Sequence, residues 1–151
     1  MTTPLFHKVD CVRLFVNDLS SGFKFYRDQL GLEVVWQTQQ AVGLRMPDDV
    51  TEIVLHTEPK SPEIDFKVKS AVEAATLFER AGGKVVVPPF DIQIGRCVVV
   101  RDPWENELIL LDSSKGHLVT DADGNVLRNA PPSKTTTAAE KTDPKSSEHL
   151  A

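Results

Sequence analysis

FKFYRDQLGLEVV at residues 23–35 and ATLFERAGGKVVV at residues 75–87 follow one pattern, 52 positions apart. Phe25 matches Leu77, Tyr26 matches Phe78, Gly31 matches Gly83, Val34 matches Val86 and Val35 matches Val87; upstream, Val16 matches Val68. Such a period marks a repeated supersecondary unit. In both copies an amphipathic segment runs into glycine (Gly31, then Gly82-Gly83), where helix C-caps belong, and a β-branched run follows.

Outward from these stretches, alternation predicts a strand over Lys8–Asn17 ahead of a helix over Ser20–Leu30, with Ser20 as its N-cap. The second copy repeats this with Glu63–Lys69 and Ala71–Ala81. Three strands follow each helix: Leu32–Thr38, Ala41–Met46 and Glu52–Thr57, then Lys84–Pro88, Gly95–Arg101 and Asn106–Asp112. The plan is βαβββ, twice, in an α+β domain over residues 1–112 with modules at about 7–58 and 62–112. Strand phase puts Val12, Leu14 and Val16 on one face and Cys11, Arg13 and Phe15 on the other. The aliphatic face is expected under the helices, against Phe23, Phe25 and Tyr26 in one module and Leu77 and Phe78 in the other. The mixed face is either a solvated outer surface or, if the sheet curls, the wall of a concave cavity.

The chain has 151 residues, 17 Lys+Arg, 22 Asp+Glu and a net charge of −5, with 40% hydrophobic and 26% charged residues. These values fit one soluble domain, and an acidic balance argues against nucleic-acid binding. There is no apolar run long enough for a membrane span and no secretory pattern in MTTPLFHKVD, so a cytoplasmic location is expected. Cys11 and Cys97 make no disulfide framework. Residues 113–128 read as a hairpin around Asp121–Asn125; this DADGN turn lacks the other ligand positions of a calcium loop and is a plain turn. Residues 129–151 have one large aliphatic, Leu150, and read as a disordered tail whose charges cancel, so the −5 belongs to residues 1–128.

FYRDQLGL (Phe25–Leu32), VNDL (Val16–Leu19) and VRDPWENELILL (Val100–Leu111), in this order and at module spacing, resemble the vicinal oxygen chelate superfamily. That group includes glyoxalases, bleomycin- and fosfomycin-resistance proteins and extradiol dioxygenases. The resemblance covers residues 7–112. It implies a curved mixed sheet with helices on its outer face, a small-molecule ligand or substrate on the concave face, and a homodimer. It also implies a divalent metal, whose ligand positions fall here on Cys11, Val54, Glu63 and Ile109. Val54 and Ile109 have no donor atom, and a thiol beside a carboxylate is a mismatched pair, so no cofactor is expected. The alternative is a displaced divalent metal on His56, Glu63 and Asp65.

Further candidates share the mixed face. Arg13 beside Cys11 would favour the thiolate, against the commoner reading of a small buried cysteine. Arg13 and Lys67 could bind an anionic group, or be neutralised by Glu63 and Asp65. Phe15 and Trp36 could stack on a flat ligand, Phe15 being better placed by strand phase. Trp104 is a surface aromatic, a dimer contact or a pocket rim. Pro88–Gly95 is either a lid or an inert connection. No phosphate loop, G-x-S-x-G elbow, CxxC pair or HExxH helix is present. The expected function is metal-independent binding of a small organic molecule. The alternatives are a lyase-, isomerase- or dioxygenase-like enzyme using a displaced metal or Glu63 as base, and a degenerate scaffold that recruits a protein partner.

Overall fold

The two repeats join edge to edge through their first strands. The computed structural model describes residues 3–132. Module 1 comprises β1 (Lys8–Phe15), α1 (Leu19–Phe23) continuing into a π-helical turn at Lys24–Gln29, β2 (Glu33–Gln37), β3 (Ala41–Arg45) and β4 (Glu52–His56). Module 2 comprises β5 (Glu63–Lys67), α2 (Ala71–Arg80), β6 (Lys84–Asp91), β7 (Arg96–Arg101) and β8 (Glu107–Leu111). One eight-stranded mixed sheet results, ordered β2-β3-β4-β1-β5-β8-β7-β6. The pairings β1–β4 and β5–β8 are parallel, and β1–β5 is antiparallel.

Helix starts follow side-chain chemistry. Asp18, not Ser20, caps α1 by accepting the Ser21 N–H at 2.8 Å, and Ser70 accepts the Glu73 N–H in the same role on α2. The π turn changes which aromatics reach the sheet. Phe23 and Tyr26 pack with Val42, Leu44 and Leu55, whereas Phe25, expected beneath the helix, is 48% exposed and meets Tyr26 edge-on. In α2 the inward phase is Ala71, Ala74, Ala75 and Phe78, so Leu77 faces solvent instead of the sheet. Asp112 ties module 2 together: its carboxylate accepts the backbone N–H groups of Ala71, Arg96 and Ser114 and the Ser114 hydroxyl.

Two strands, β9 (His117–Thr120) and β10 (Val126–Ala130), form a separate sheet. Asn129 and Ala130 belong to β10, so the hairpin runs past residue 128; of the stretch read as a tail, residues 133–151 lie outside the described residues. Its turn repeats that of β7–β8. In both DPWEN and DADGN the leading Asp accepts the N–H groups two and four residues on and the Asn side-chain amide. The fourth position is left-handed in both, with Glu105 at φ 72° and Gly124 at φ 89°.

Candidate functional site

Register collects the expected residues on one face in cross-strand rows. Cys11 stands opposite Glu52 on β4 and Asp65 on β5, and Asp65 stands opposite Ile109 on β8. Two residues along, Arg13 lies between Val54 and Glu63; two further, Phe15 pairs with His56. Lys67 takes its place at the other end. The four family metal positions therefore split between the Cys11 row and the Arg13 row.

The deep part of the face is filled. Cys11, Trp36, Ala41, Val54, Cys97 and Leu111 pack against Ile92 and Ile94 from the β6–β7 connection, and against Leu118 and Val126 from the β9–β10 hairpin. The Pro88–Gly95 stretch thus covers the concave face, through the two isoleucines. The hairpin's role was not legible in sequence: Leu118 and Val126 alternate correctly for a hairpin, but nothing local says which surface they meet. Trp36 is 1% exposed, so its indole faces protein, not solvent. A bulge at Val35 turns both Val35 and Trp36 to this side, and the indole lies across Gly43 to donate Nε1–H to Glu52 at 2.9 Å. Glu52 and a second buried carboxylate, Asp10, also belong to the site. A bulge between Val9 and Cys11 displaces Asp10, whose carboxylate lies 3.9 Å from the Lys67 ammonium. Irregular strand geometry of this kind leaves no trace in an alternation pattern.

Charges pair across the strands. Arg13 Nε lies 3.6 Å from Glu63, both side chains being largely buried. Lys67 lies 3.9 Å from Asp10, a carboxylate the sequence reading did not single out. Glu107 sits at the sheet end, accepting from Arg101 at 3.1 Å. Trp104, 80% exposed, is a surface aromatic at the tip of its turn.

The Cys11 thiol donates to Asp65 at 3.5 Å. Burial, then the Asp65 and Asp10 charges, push it well up, outweighing Arg13. Of the two readings of Cys11, the small buried cysteine matches its surroundings: desolvation and two carboxylates oppose the one guanidinium that would favour a thiolate. Cys97 is likewise pushed up to about 12, chiefly by burial. Burial, with Arg13 contributing, holds His56 below the ordinary histidine range. Its Nδ1 accepts the Glu58 N–H at 3.2 Å, so the neutral ring carries its proton on Nε2 and presents a donor there.

These side chains do not fit a metal. Val54 and Ile109 are hydrocarbon, the Cys11 thiol is pushed up by burial and so disfavours the thiolate a metal needs, and Glu63 faces Arg13. The displaced set fares no better. His56 and Asp65 flank β1 at Phe15 and Cys11, four strand residues or about 13 Å apart, and His56 Nε2 carries a proton. Among the described residues, no group of three or more His, Cys, Asp and Glu is placed to hold a metal ion. A solvent-open cleft of ≈ 770 Å³ lies elsewhere, between Arg27, β2 and the Asp121–Gly124 turn.

The sequence profile of the Glyoxalase/Bleomycin resistance protein/Dioxygenase superfamily matches residues 8–110. The chain belongs to that superfamily. Among solved structures this superfamily member is similar to methylmalonyl-CoA epimerase from Mycobacterium tuberculosis (TM-score 0.64, 17% identity, 74% of this chain and 91% of that one). It is also similar to a structure described as NAD-dependent benzaldehyde dehydrogenase from Legionella pneumophila (0.57, 20%, 68% and 97%). A third is the H200Q variant of homoprotocatechuate 2,3-dioxygenase from B. fuscum (0.56, 23%, 73% of this chain but 33% of that one). At these identities the likeness is one of fold. No functionally curated protein matches the superfamily member's sequence. Among its described residues no helix is long and apolar enough to cross a membrane.

Proposed function

We propose that the protein binds a small organic molecule on the concave face of its sheet, without a metal. The observation that carries this reading is the convergence at the end of β1. The half-exposed Phe15 ring, the His56 Nε2–H and the Arg13–Glu63 pair occupy successive register positions. An aromatic wall, a neutral donor and a polarised ion pair can orient a flat, polar molecule, and none of these contacts needs a cation. We place this activity in a cytoplasmic homodimer, following the family resemblance. Thermal-shift titration with aromatic acids, amides and amines in EDTA tests it. Stabilisation is expected and should vanish in Phe15→Ala. Stabilisation seen only with a divalent ion, and removed by EDTA, would overturn it.

A second reading has one specific support. Of the concave carboxylates, Glu63 keeps 20% of its side chain accessible while Asp10, Glu52 and Asp65 are at 1% or less. Beside Arg13, it could act as a general base toward a carbon acid whose enolate the guanidinium stabilises. Glu63→Gln would then abolish proton exchange from the substrate while leaving its binding intact.

A further inference from the structure

We propose that the β9–β10 hairpin is a displaceable lid, and that lifting it uncovers a cation-accepting subsite centred on Glu52. The inference rests on the concave-face binding reading and adds the access route and the charge of the ligand.

The packed surface beneath the hairpin carries polar groups poorly matched by their apolar cover. Asp10, Glu52, Asp65 and Glu63 share this face with Arg13, Lys67 and Arg45. Arg13 is engaged by Glu63 and Lys67 by Asp10; Asp65 accepts from the Cys11 thiol. Arg45, the cross-strand neighbour of Glu52, directs its Nε to Asp49 at 3.4 Å. Among the described residues Glu52 thus has only the Trp36 N–H, on Oε1, and its Oε2 is buried with no hydrogen-bond partner. A carboxylate oxygen held in that state costs free energy that a donor would recover. With Arg45 turned to Asp49, the buried Glu52 carboxylate has no cationic partner among the described residues, and this sets the sign: the group that completes the site is a protonated nitrogen.

The cover is lightly attached. β9 and β10 pair only with each other, apart from one bridge from Asn125 to Gln37 at the edge of the main sheet. Two apolar side chains, Leu118 and Val126, cover the face from this side. Other ties include Gln37 to the turn, Lys115 N–H to the Ile94 carbonyl, the Lys115 ammonium to the Ile92 carbonyl and Asp91, and the Asn129 amide to the Gln93 carbonyl. A two-stranded sheet has little stability of its own, so it opens below the cost of global unfolding. The eight-stranded sheet makes its backbone pairings without it.

Cys11, beside Glu52 under the lid, is a built-in reporter. In a Cys97→Ala background, labelling by a small neutral methanethiosulfonate measures opening. Leu118→Ala is expected to speed Cys11 labelling at least about tenfold. Val68→Ala, a core change on the helix side of the sheet, should leave that rate within about twofold at equal or greater loss of global stability. Equal acceleration in both variants, tracking global stability, would overturn the lid. For the subsite, benzamidine should slow labelling where benzamide and benzoate do not. Glu52→Gln, which keeps an acceptor for Trp36, should remove that protection. Protection by benzoate or benzamide as strong as by benzamidine, or by none of the three, would overturn the assigned charge. The lid measurement needs no ligand, and protection by benzoate alone would leave the binding proposal standing while sinking this one.

Discussion

Replacing Gly43 by alanine should break the module 1 half of the concave face. An ideal Cβ at Gly43 would lie 2.0 Å from Trp36 Nε1, 2.3 Å from Cε2 and 2.6 Å from Cδ1. Carbon contacts need about 3.5 Å, so the indole must move by more than about 1 Å. It has nowhere to go, being 1% exposed and packed among Ala41, Val54 and Leu118. Overpacking costs about 1–3 kcal/mol. Losing the Nε1–H bond to the Glu52 carboxylate costs about 1.5–3 kcal/mol more, since it strands a buried charge. Together these give about 2.5–6 kcal/mol, or a urea midpoint shift of about 1–3 M at a slope of about 2 kcal/mol/M. Urea melts followed by fluorescence in a Trp104→Phe background isolate the Trp36 signal, and its emission should shift red. In a Trp36→Leu background the same Gly43→Ala change should cost under about 0.5 kcal/mol, because the clash is gone. A cost below about 1 kcal/mol with unshifted emission would refute the packing of the indole over Gly43.

Three other changes have definite expected outcomes. Glu105→Gly should stabilise by about 1 kcal/mol in chemical denaturation, since it relieves a left-handed non-glycine that the matching turn fills with Gly124. The depressed His56 means that the unfolded chain binds more protons as pH falls through the free-histidine value near 6.5. Stability should therefore drop between pH 7 and pH 5, and His56→Gln should flatten that slope in urea melts across the range. Asp112 is buried, but four hydrogen bonds to its carboxylate outweigh desolvation and hold it below the ordinary range. Its contribution is present above the free value near 4 and is lost as pH falls through the lower folded value. Asp112→Asn should cost about 2–3 kcal/mol at pH 7 and shrink toward zero in acid, read by thermal melts at both pH values.

Much of the fold was written in local pattern. The 52-residue offset, period-2 strands and glycine stops located both modules and every main-sheet strand within a few residues, because each is fixed by near neighbours. The phase of β1 likewise put Cys11, Arg13 and Phe15 on the concave face. Where local regularity broke, so did legibility. The π turn at Lys24–Gln29 sent Phe25 outward, and the bulges at Asp10 and Val35 brought Asp10 and Trp36 inward. Both insert or shift one residue, which sequence periodicity averages away.

By itself, then, the sequence determined the paired βαβββ plan, the superfamily, and the hydrocarbon at Val54 and Ile109, for these depend on residue identity and spacing along the chain. Only the tertiary structure decided what surrounds the remaining donors. It set Cys11 between Asp65 and Glu52, engaged Arg13 with Glu63, buried Trp36 over Gly43 and folded the β9–β10 hairpin across the face. Charge state and accessibility come from neighbours distant in sequence. The 54 positions between Cys11 and Asp65 therefore hid a contact that, after burial, pushes the thiol up.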